Sequence, residues 1–115
     1  MHIVSILASP HGLKGNTARL LSLVLEGAVA EGAKNETIAL PGNTVLPCMA
    51  CDTCHRKGRC PQNDEFESIR GKILESDGVV LASPNYIFSV SAQMKALMDR
   101  CSRSQRLGTI SHQRI

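Results

Sequence analysis

The sequence predicts an α/β domain in which parallel strands alternate with helices that cover both faces of one sheet. Three short apolar runs, rich in β-branched residues, have the composition of strands, and segments with helical periodicity separate and follow them. Alternation of this kind favours a parallel sheet with right-handed crossovers. The chain has 115 residues, of which 43% are hydrophobic, and this is enough for one compact domain.

The first two predicted strands frame the first helix. Residues 2–8 (HIVSILA) form an apolar run that ends before a Ser-Pro pair, which predicts a buried strand. From Thr17 to about residue 31, apolar residues recur at helical spacing, and a glycine then supplies a C-terminal stop. Residues 36–40 (ETIAL) predict a short second strand.

The rest of the predicted domain contains one more strand and two more helices. Residues 64–75 place apolar side chains on one face behind an acidic first turn, so they predict the second helix. Gly78–Ala82 (GVVLA) predicts the third strand, and residues 92–101 (AQMKALMDRC) predict the third helix. We therefore expect the domain to span residues 1–101, followed by a polar, basic tail at residues 102–115.

The charge pattern and the N-terminus exclude some classes of function. The net charge of +3 comes from scattered Lys and Arg residues, whereas a nucleic-acid-binding surface would cluster them on one face. The N-terminal segment MHIVSILASPHG lacks a charged n-region, and no later stretch approaches about 20 apolar residues. We therefore expect a cytoplasmic protein without nucleic-acid or membrane partners.

The loop SPHGLKGNT, between the first strand and the first helix, is a candidate phosphate site. A helix N-terminus offers unpaired N–H groups and the positive end of the helix dipole to an anion. Hydroxyl, amide and glycine positions would complete a cradle for a phosphate monoester. The residues predicted to form this cradle are Ser9, His11, Gly15, Asn16 and Thr17.

Two simpler interpretations apply to the same loop. Asn16 or Thr17 could do no more than cap the helix, and His11 and Lys14 could be solvated loop residues. The loop matches neither the GxxxxGK[ST] nor the GxGxxG pattern, since Lys14 precedes Gly15. Nucleoside triphosphates and dinucleotides are therefore disfavoured as ligands.

A second loop, SPNYIFSVS, follows the third predicted strand. Pro84 fixes the backbone where the chain leaves the sheet. Tyr86 and Phe88 are two of only three aromatic residues in the chain, and their position in a loop predicts contact with a ring system. A subunit interface is the alternative for Phe88. Because the carboxyl ends of parallel strands share one edge, we expect both loops to meet there.

Together the two loops resemble those of the flavodoxin-like NAD(P)H-dependent FMN reductases, including the iron-sulfur flavoproteins. The resemblance extends from Met1 to about Cys101. It implies a flavodoxin-like parallel sheet, an FMN phosphate held by SPHGLKGNT and an isoalloxazine ring wrapped by SPNYIFSVSAQMKALMDR, with NAD(P)H as the donor. The second-loop residues expected to bind the flavin are Pro84, Asn85, Tyr86, Phe88 and Ser89. The N–H groups of Asn85 and Tyr86 are expected to face its polar edge, whereas Ser89 and Ser91 could instead cap the third helix.

Four cysteines follow the spacing C-x2-C-x2-C-x5-C, at Cys48, Cys51, Cys54 and Cys60. This spacing resembles the cysteine motif of iron-sulfur flavoproteins and implies ligands of a [4Fe-4S] cluster. The surrounding insertion, residues 43–63, lacks helical and strand periodicity, so a bound cluster would help to order it. Tetrahedral zinc and metal-free or redox-active thiols remain alternatives.

The predicted function is electron transfer between small-molecule or protein donors and acceptors through FMN and a [4Fe-4S] cluster. A cluster-free NAD(P)H-dependent FMN or quinone reductase is the first alternative, and a non-catalytic assembly module is the second. The family would continue into fourth and fifth strands, for which this chain offers no candidate. The third strand would then be an open edge, which predicts a homo-oligomer and weak FMN binding.

Overall fold

The computed structural model describes residues 1–40 and 45–103. It contains three strands, β1 (His2–Leu7), β2 (Lys34–Ala39) and β3 (Gly78–Ala82). The helices are α1 (Asn16–Ala30), α2 (Thr53–Lys57), α3 (Phe66–Glu75) and α4 (Ala92–Arg103), and a short 3-10 helix spans Gly12–Lys14.

The three strands form one parallel sheet in the order β2-β1-β3, with β1 in the centre. Leu7 pairs with Ala39 on one side and with Ala82 on the other, so all three strands end at the same edge. The order matches the first three strands of the flavodoxin-like arrangement 2-1-3-4-5. The predicted flavodoxin-like α/β fold is therefore confirmed.

Helices cover both faces of the sheet because alternate side chains of β1 point to opposite sides. On one face, Val4 and Ile6 pack with Phe66 of α3 and Leu97 of α4. On the other face, Leu7 belongs to a separate cluster with the buried residues of α1. Those residues are Ala18, Leu21 and Leu25.

Several element boundaries differ from the sequence prediction. β2 begins at Lys34, two residues early, and α4 continues to Arg103, two residues into the predicted tail. α3 begins at Phe66, because the Asp64 side chain accepts a hydrogen bond from the Phe66 N–H (3.1 Å) and so lies outside the helix. Residues 43–44 of the cysteine-rich insertion and 104–115 of the tail lie outside the described residues.

The cysteine-rich insertion contains one helix that the sequence did not predict. α2 has only five residues and ends at Gly58, which has a left-handed φ of 77°. A helix of little more than one turn is too short for a hydrophobic period to appear in the sequence.

β3 forms one edge of the sheet within the described residues, as the sequence predicted. Its Leu81 side chain is 42% exposed. In the part of the chain that the structure covers, no helix has the length and apolar character needed to cross a membrane.

Candidate functional site

The loops that follow β1 and β3 leave the sheet side by side. The Ala8 N–H donates a hydrogen bond to the Ala82 carbonyl (2.8 Å), which extends the pairing of the two strands by one residue. The Ser91 hydroxyl, at the far end of the second loop, donates to the Ala8 carbonyl (2.7 Å). The structure thus brings the two predicted loops together at the carboxyl edge.

Ser91 also caps the N-terminus of α4. Its hydroxyl accepts a hydrogen bond from the Met94 N–H (3.3 Å), and its own N–H donates to the Ser83 hydroxyl (2.8 Å). The side chain is fully buried. The capping role considered for Ser91 is therefore confirmed, and the same hydroxyl ties the helix to the end of β1. Ser89 instead lies in the turn before it and is exposed.

The first loop folds around Ser9, which is almost fully buried. Its hydroxyl accepts a hydrogen bond from the His11 N–H (3.2 Å), and its carbonyl accepts one from the Gly12 N–H (3.0 Å). Gly12 has a φ of 56°, which a residue with a Cβ rarely adopts. His11 and Lys14 are exposed, so contact with phosphate remains a prediction for both.

The N-terminus of α1 has no side-chain cap. Gly15 occupies the capping position, and the helix begins at Asn16, followed by Thr17. The suggestion that Asn16 or Thr17 serves only as a cap is therefore wrong, because both lie inside the first turn. The N–H groups of such a turn have no partner within the helix and are suited to an anion.

Space at this helix N-terminus depends on Gly15. A Cβ added to Gly15 would lie 2.8 Å from the His11 Cβ and 3.6 Å from the Ser9 hydroxyl oxygen. The loop therefore packs so closely against residue 15 that only glycine fits there. This close approach is the feature expected of a backbone cradle for phosphate.

The second loop contains a tight two-residue turn. Tyr86 and Ser89 exchange backbone hydrogen bonds of 2.9 and 3.0 Å, and Ile87 and Phe88 between them have φ values of 47° and 62°. Left-handed backbone costs a residue with a side chain roughly 1–2 kcal/mol. The Ile87 and Phe88 side chains are 92% and 99% exposed, so packing within the described residues does not offset this cost.

One expectation for this loop is wrong. The Tyr86 N–H donates to the Ser89 carbonyl and cannot also face a ligand in this conformation. The Asn85 N–H remains a predicted flavin contact, and Asn85 itself is exposed. Pro84 is half-buried, and its carbonyl accepts a hydrogen bond from the Ser83 hydroxyl (2.9 Å).

The four motif cysteines line one small cavity of about 20 Å³, which is partly open to solvent; we call it the cysteine cavity. Its cysteines are Cys48, Cys51, Cys54 and Cys60, and Arg100 of α4 also lines it. Ala50 and Asp52 adopt left-handed φ values of 54° and 59°, and the Ala50 N–H donates to the Cys48 sulfur (3.4 Å). The backbone thus turns sharply to direct neighbouring cysteines toward one space.

The cysteine cavity does not have the geometry of a mononuclear metal site. Among the described residues, no three His, Cys, Asp or Glu side chains converge closely enough to hold one ion. A single zinc ion draws its thiolates to about 2.3 Å from one point. A four-iron cube bonds each thiolate through a different iron atom, so its ligands surround a space instead. The four cysteines supply the set of thiolates that such a cube needs, and the cluster itself remains a prediction.

A buried ion pair, not predicted from the sequence, anchors this region. The Arg100 guanidinium hydrogen-bonds the Asp64 carboxylate, and both side chains are more than 90% buried. Asp64 also accepts the Leu46 N–H (2.9 Å), and Arg100 donates to the Leu46 carbonyl (3.3 Å). The chain entering the cysteine cavity is therefore fixed to α4. Arg100 lies three residues after the buried Leu97 and therefore on the same face of α4. This spacing is the one feature of the sequence that indicated a buried cation.

The pair of Asp64 and Arg100 should make the free energy of unfolding fall at acidic pH. Burial acts to raise the pKa of Asp64, but hydrogen bonds from Arg100 and from backbone N–H groups outweigh it and hold the pKa below its usual value. The pair therefore stabilises the fold fully above the unfolded pKa of about 3.9, and its contribution is lost as the pH falls through the lower folded pKa. Urea unfolding between pH 6 and 3 should show this loss, and Asp64→Asn should flatten it. An equal slope in both proteins would contradict the assignment.

Cys51 and Cys101 should react with an alkylating reagent at different rates. A hydrogen bond with the Thr53 side chain lowers the pKa of exposed Cys51, whereas burial raises the pKa of Cys101 to about 11. Because thiolates are the nucleophiles, iodoacetamide at pH 8 should alkylate Cys51 first and Cys101 last in metal-free protein. Peptide mass spectrometry follows each site, and in urea the difference should disappear. Rapid native labelling of Cys101 would contradict its packing against the hydrophobic core.

A parallel α/β sheet in the order β2-β1-β3, with two loops side by side at the carboxyl ends of adjacent strands, defines the flavodoxin-like class of folds. Comparison with known families gives the narrower assignment. Residues 1–113 match the family described as NADPH-dependent FMN reductase, and the chain belongs to that family.

Individual relatives agree with this assignment. An iron-sulfur flavoprotein from Methanocaldococcus jannaschii is 41% identical over 108 residues, which are 94% of this chain and 55% of that protein. An iron-sulfur flavoprotein from Methanosarcina thermophila is 35% identical over 101 residues, which are 87% of this chain and 52% of that protein. The chain thus spans about half the length of the curated relatives it matches.

A solved structure supports the same fold. The NAD(P)H:quinone oxidoreductase from Methanothermobacter marburgensis superposes with a TM-score of 0.71 at 19% identity. The match covers 87% of this chain and 52% of that one.

Proposed function

We propose that this chain binds FMN at the carboxyl edge of its sheet and acts in an NAD(P)H-dependent oxidoreductase of the iron-sulfur flavoprotein type. The observation that carries the proposal is the N-terminus of α1, which lacks a side-chain cap and follows the loop that starts at Ala8, where Ser91 of the second loop donates a hydrogen bond. The names of the relatives and the matching family support the choice of FMN and of a nicotinamide donor.

The phosphate of FMN would bind at the first turn of α1. The N–H groups of Asn16 and Thr17 would donate to it, and the absent side chain of Gly15 lets His11 and the loop pack closely against this turn. Ser9 holds the loop in this shape through its two hydrogen bonds. His11 and Lys14 would add positive charge at the exposed side, or a hydrogen bond if His11 is neutral.

The flavin ring would lie against the second loop. Tyr86 is 45% exposed and Phe88 is 99% exposed, so both aromatic surfaces are available. The strained turn between Tyr86 and Ser89 holds these side chains out of the core, as expected when strain serves a binding role. FMN, when bound, supplies the hydride and single-electron chemistry, while the chain sets its position.

The cysteine cavity would hold a [4Fe-4S] cluster through its four cysteines. α4 connects the two sites, because it begins at Ala92, directly after the second loop, and carries Arg100, which lines the cavity, about 12 Å further along the helix axis. A cluster-free FMN or quinone reductase is the second candidate. It is favoured by the finding that no three described ligand side chains converge on one point.

The outer edge of β3, which has no neighbouring strand among the described residues, supports a homo-oligomer as part of the proposal. Such an edge with a partly exposed Leu81 favours pairing with a further strand, which a second copy can provide. Analytical ultracentrifugation at micromolar concentration should show a dimer or larger species. A stable monomer would contradict this part of the proposal alone.

Anaerobic purification followed by FMN titration tests the function. The expected results are quenching of FMN fluorescence, four iron and four sulfide per chain, and broad absorbance near 400 nm that NAD(P)H changes. Flavin binding without iron would favour the cluster-free reductase. Unchanged flavin fluorescence would overturn the proposal and favour a non-catalytic module.

A further inference from the structure

Arg100 contacts one cysteine of the cavity directly. Its terminal Nη2 lies 3.2 Å from the Cys60 sulfur and donates a hydrogen bond to it. The other terminal nitrogen is held by the Asp64 carboxylate and the Leu46 carbonyl, and the guanidinium carbon lies 4.3 Å from the centre of the Phe66 ring. The guanidinium is therefore fixed on three sides, with its remaining end directed to sulfur.

Cys60 is held differently from the other cysteines of the motif. It packs against the main hydrophobic core, and its N–H donates to a Glu67 carboxylate oxygen (3.1 Å). Its backbone is thus anchored to α3 while its sulfur is anchored to α4. Cys48, in contrast, accepts only a local hydrogen bond from Ala50 among the contacts of the described residues.

The contact between the buried Arg100 guanidinium and the Cys60 thiol is not explained by charge pairing alone. Burial of a cation is costly, and the Asp64 carboxylate already supplies the charge partner. Burial by itself lowers the pKa of Arg100, but hydrogen bonds with Asp64 and Cys60 outweigh it, so the side chain stays charged. A permanent cation that donates to a sulfur ligand stabilises extra negative charge on whatever that ligand binds.

We propose that Arg100 is a positioning residue that fixes the Cys60 sulfur at the cavity and favours the reduced form of a cluster bound there. The inference rests on the proposed function, since it assumes that Cys60 is a cluster ligand. A cluster held there would take up one electron supplied by NAD(P)H through FMN, while Arg100 would keep its charge and its protons. The N–H···S hydrogen bond would then be stronger in the reduced state, which would raise the midpoint potential.

The test compares Arg100→Gln with the control Lys95→Gln after anaerobic loading with ferrous iron and sulfide. Lys95 lies on the same helix and is exposed, so its substitution removes one positive charge without touching sulfur. Iron per chain and the midpoint potential are measured for each protein. Arg100→Gln should shift the cluster equilibrium about tenfold toward the oxidised form, which corresponds to about 59 mV for one electron. Lys95→Gln should leave it within about twofold, and Arg100→Lys should recover part of the shift.

Two further variants keep the test decisive if Arg100→Gln does not fold. Asp64→Asn combined with Arg100→Gln removes both buried charges and should show the same shift, whereas Asp64→Asn alone should not. A wild-type cluster with an unchanged potential in every Arg100 variant would overturn the inference and leave the proposed function intact. A wild-type protein that takes up no iron would overturn the cluster proposal, and this inference with it.

Discussion

Gly15→Ala is expected to weaken FMN binding about 100-fold while the fold is retained. The added Cβ would lie 2.8 Å from the His11 Cβ, a separation that Cβ atoms do not tolerate, so the loop backbone must move away from the helix N-terminus. Hydrogen bonds to a charged group contribute about 1.5–3 kcal/mol each, and the loss of one or two of them gives an effect of this size. Fluorescence titration with FMN measures the change.

The matched control for this variant is Gly27→Ala. Gly27 lies within α1, and a Cβ added there meets nothing within 4 Å, so the change should only favour the helix by about 0.5–1 kcal/mol. Its FMN affinity should equal that of the wild type. Equal affinities for all three proteins would show that the α1 N-terminus does not bind the phosphate.

Asp64→Ala should lower the free energy of unfolding by about 3–5 kcal/mol. The Arg100 side chain is 1% exposed, so removal of the carboxylate leaves a buried cation without its charge partner. The Leu46 and Phe66 N–H groups also lose their acceptor. Urea unfolding followed by circular dichroism measures the difference.

Asp99→Ala provides the comparison for this effect. Asp99 pairs with Lys95 on the surface of α4, where both side chains are about half exposed. Exposed pairs contribute about 0.2–1 kcal/mol, so this variant should unfold almost as the wild type does. Similar losses in the two variants would mean that the buried pair does not anchor the cysteine cavity.

The sheet and its helices could be predicted because each follows a local pattern. The apolar run GVVLA predicts β3 to the residue, and the glycine after the helical pattern of α1 marks its end. Parallel pairing then follows from the alternation of strands and helices, and it places both loops at one edge. The largest boundary differences are two residues, at β2, α3 and α4.

The contacts that shape the cysteine cavity and the two loops at the carboxyl edge could not be predicted in this way. Arg100 and Asp64 are 36 residues apart, and Ser91 meets Ala8 across 83 residues, so no local pattern connects either pair. The turn at Ile87 and Phe88 runs against sequence preference, because β-branched and aromatic residues disfavour a left-handed backbone. Local rules fail here, as they often do where a site imposes its own conformation.

The most direct test of phosphate binding at α1 compares FMN with riboflavin, which lacks the phosphate, by amide chemical shifts of the labelled protein. FMN should shift the Asn16, Thr17 and Asn85 amides, whereas riboflavin should bind more weakly and shift only the loop after β3. If both ligands bind equally and neither affects the first turn of α1, the phosphate site described above does not exist.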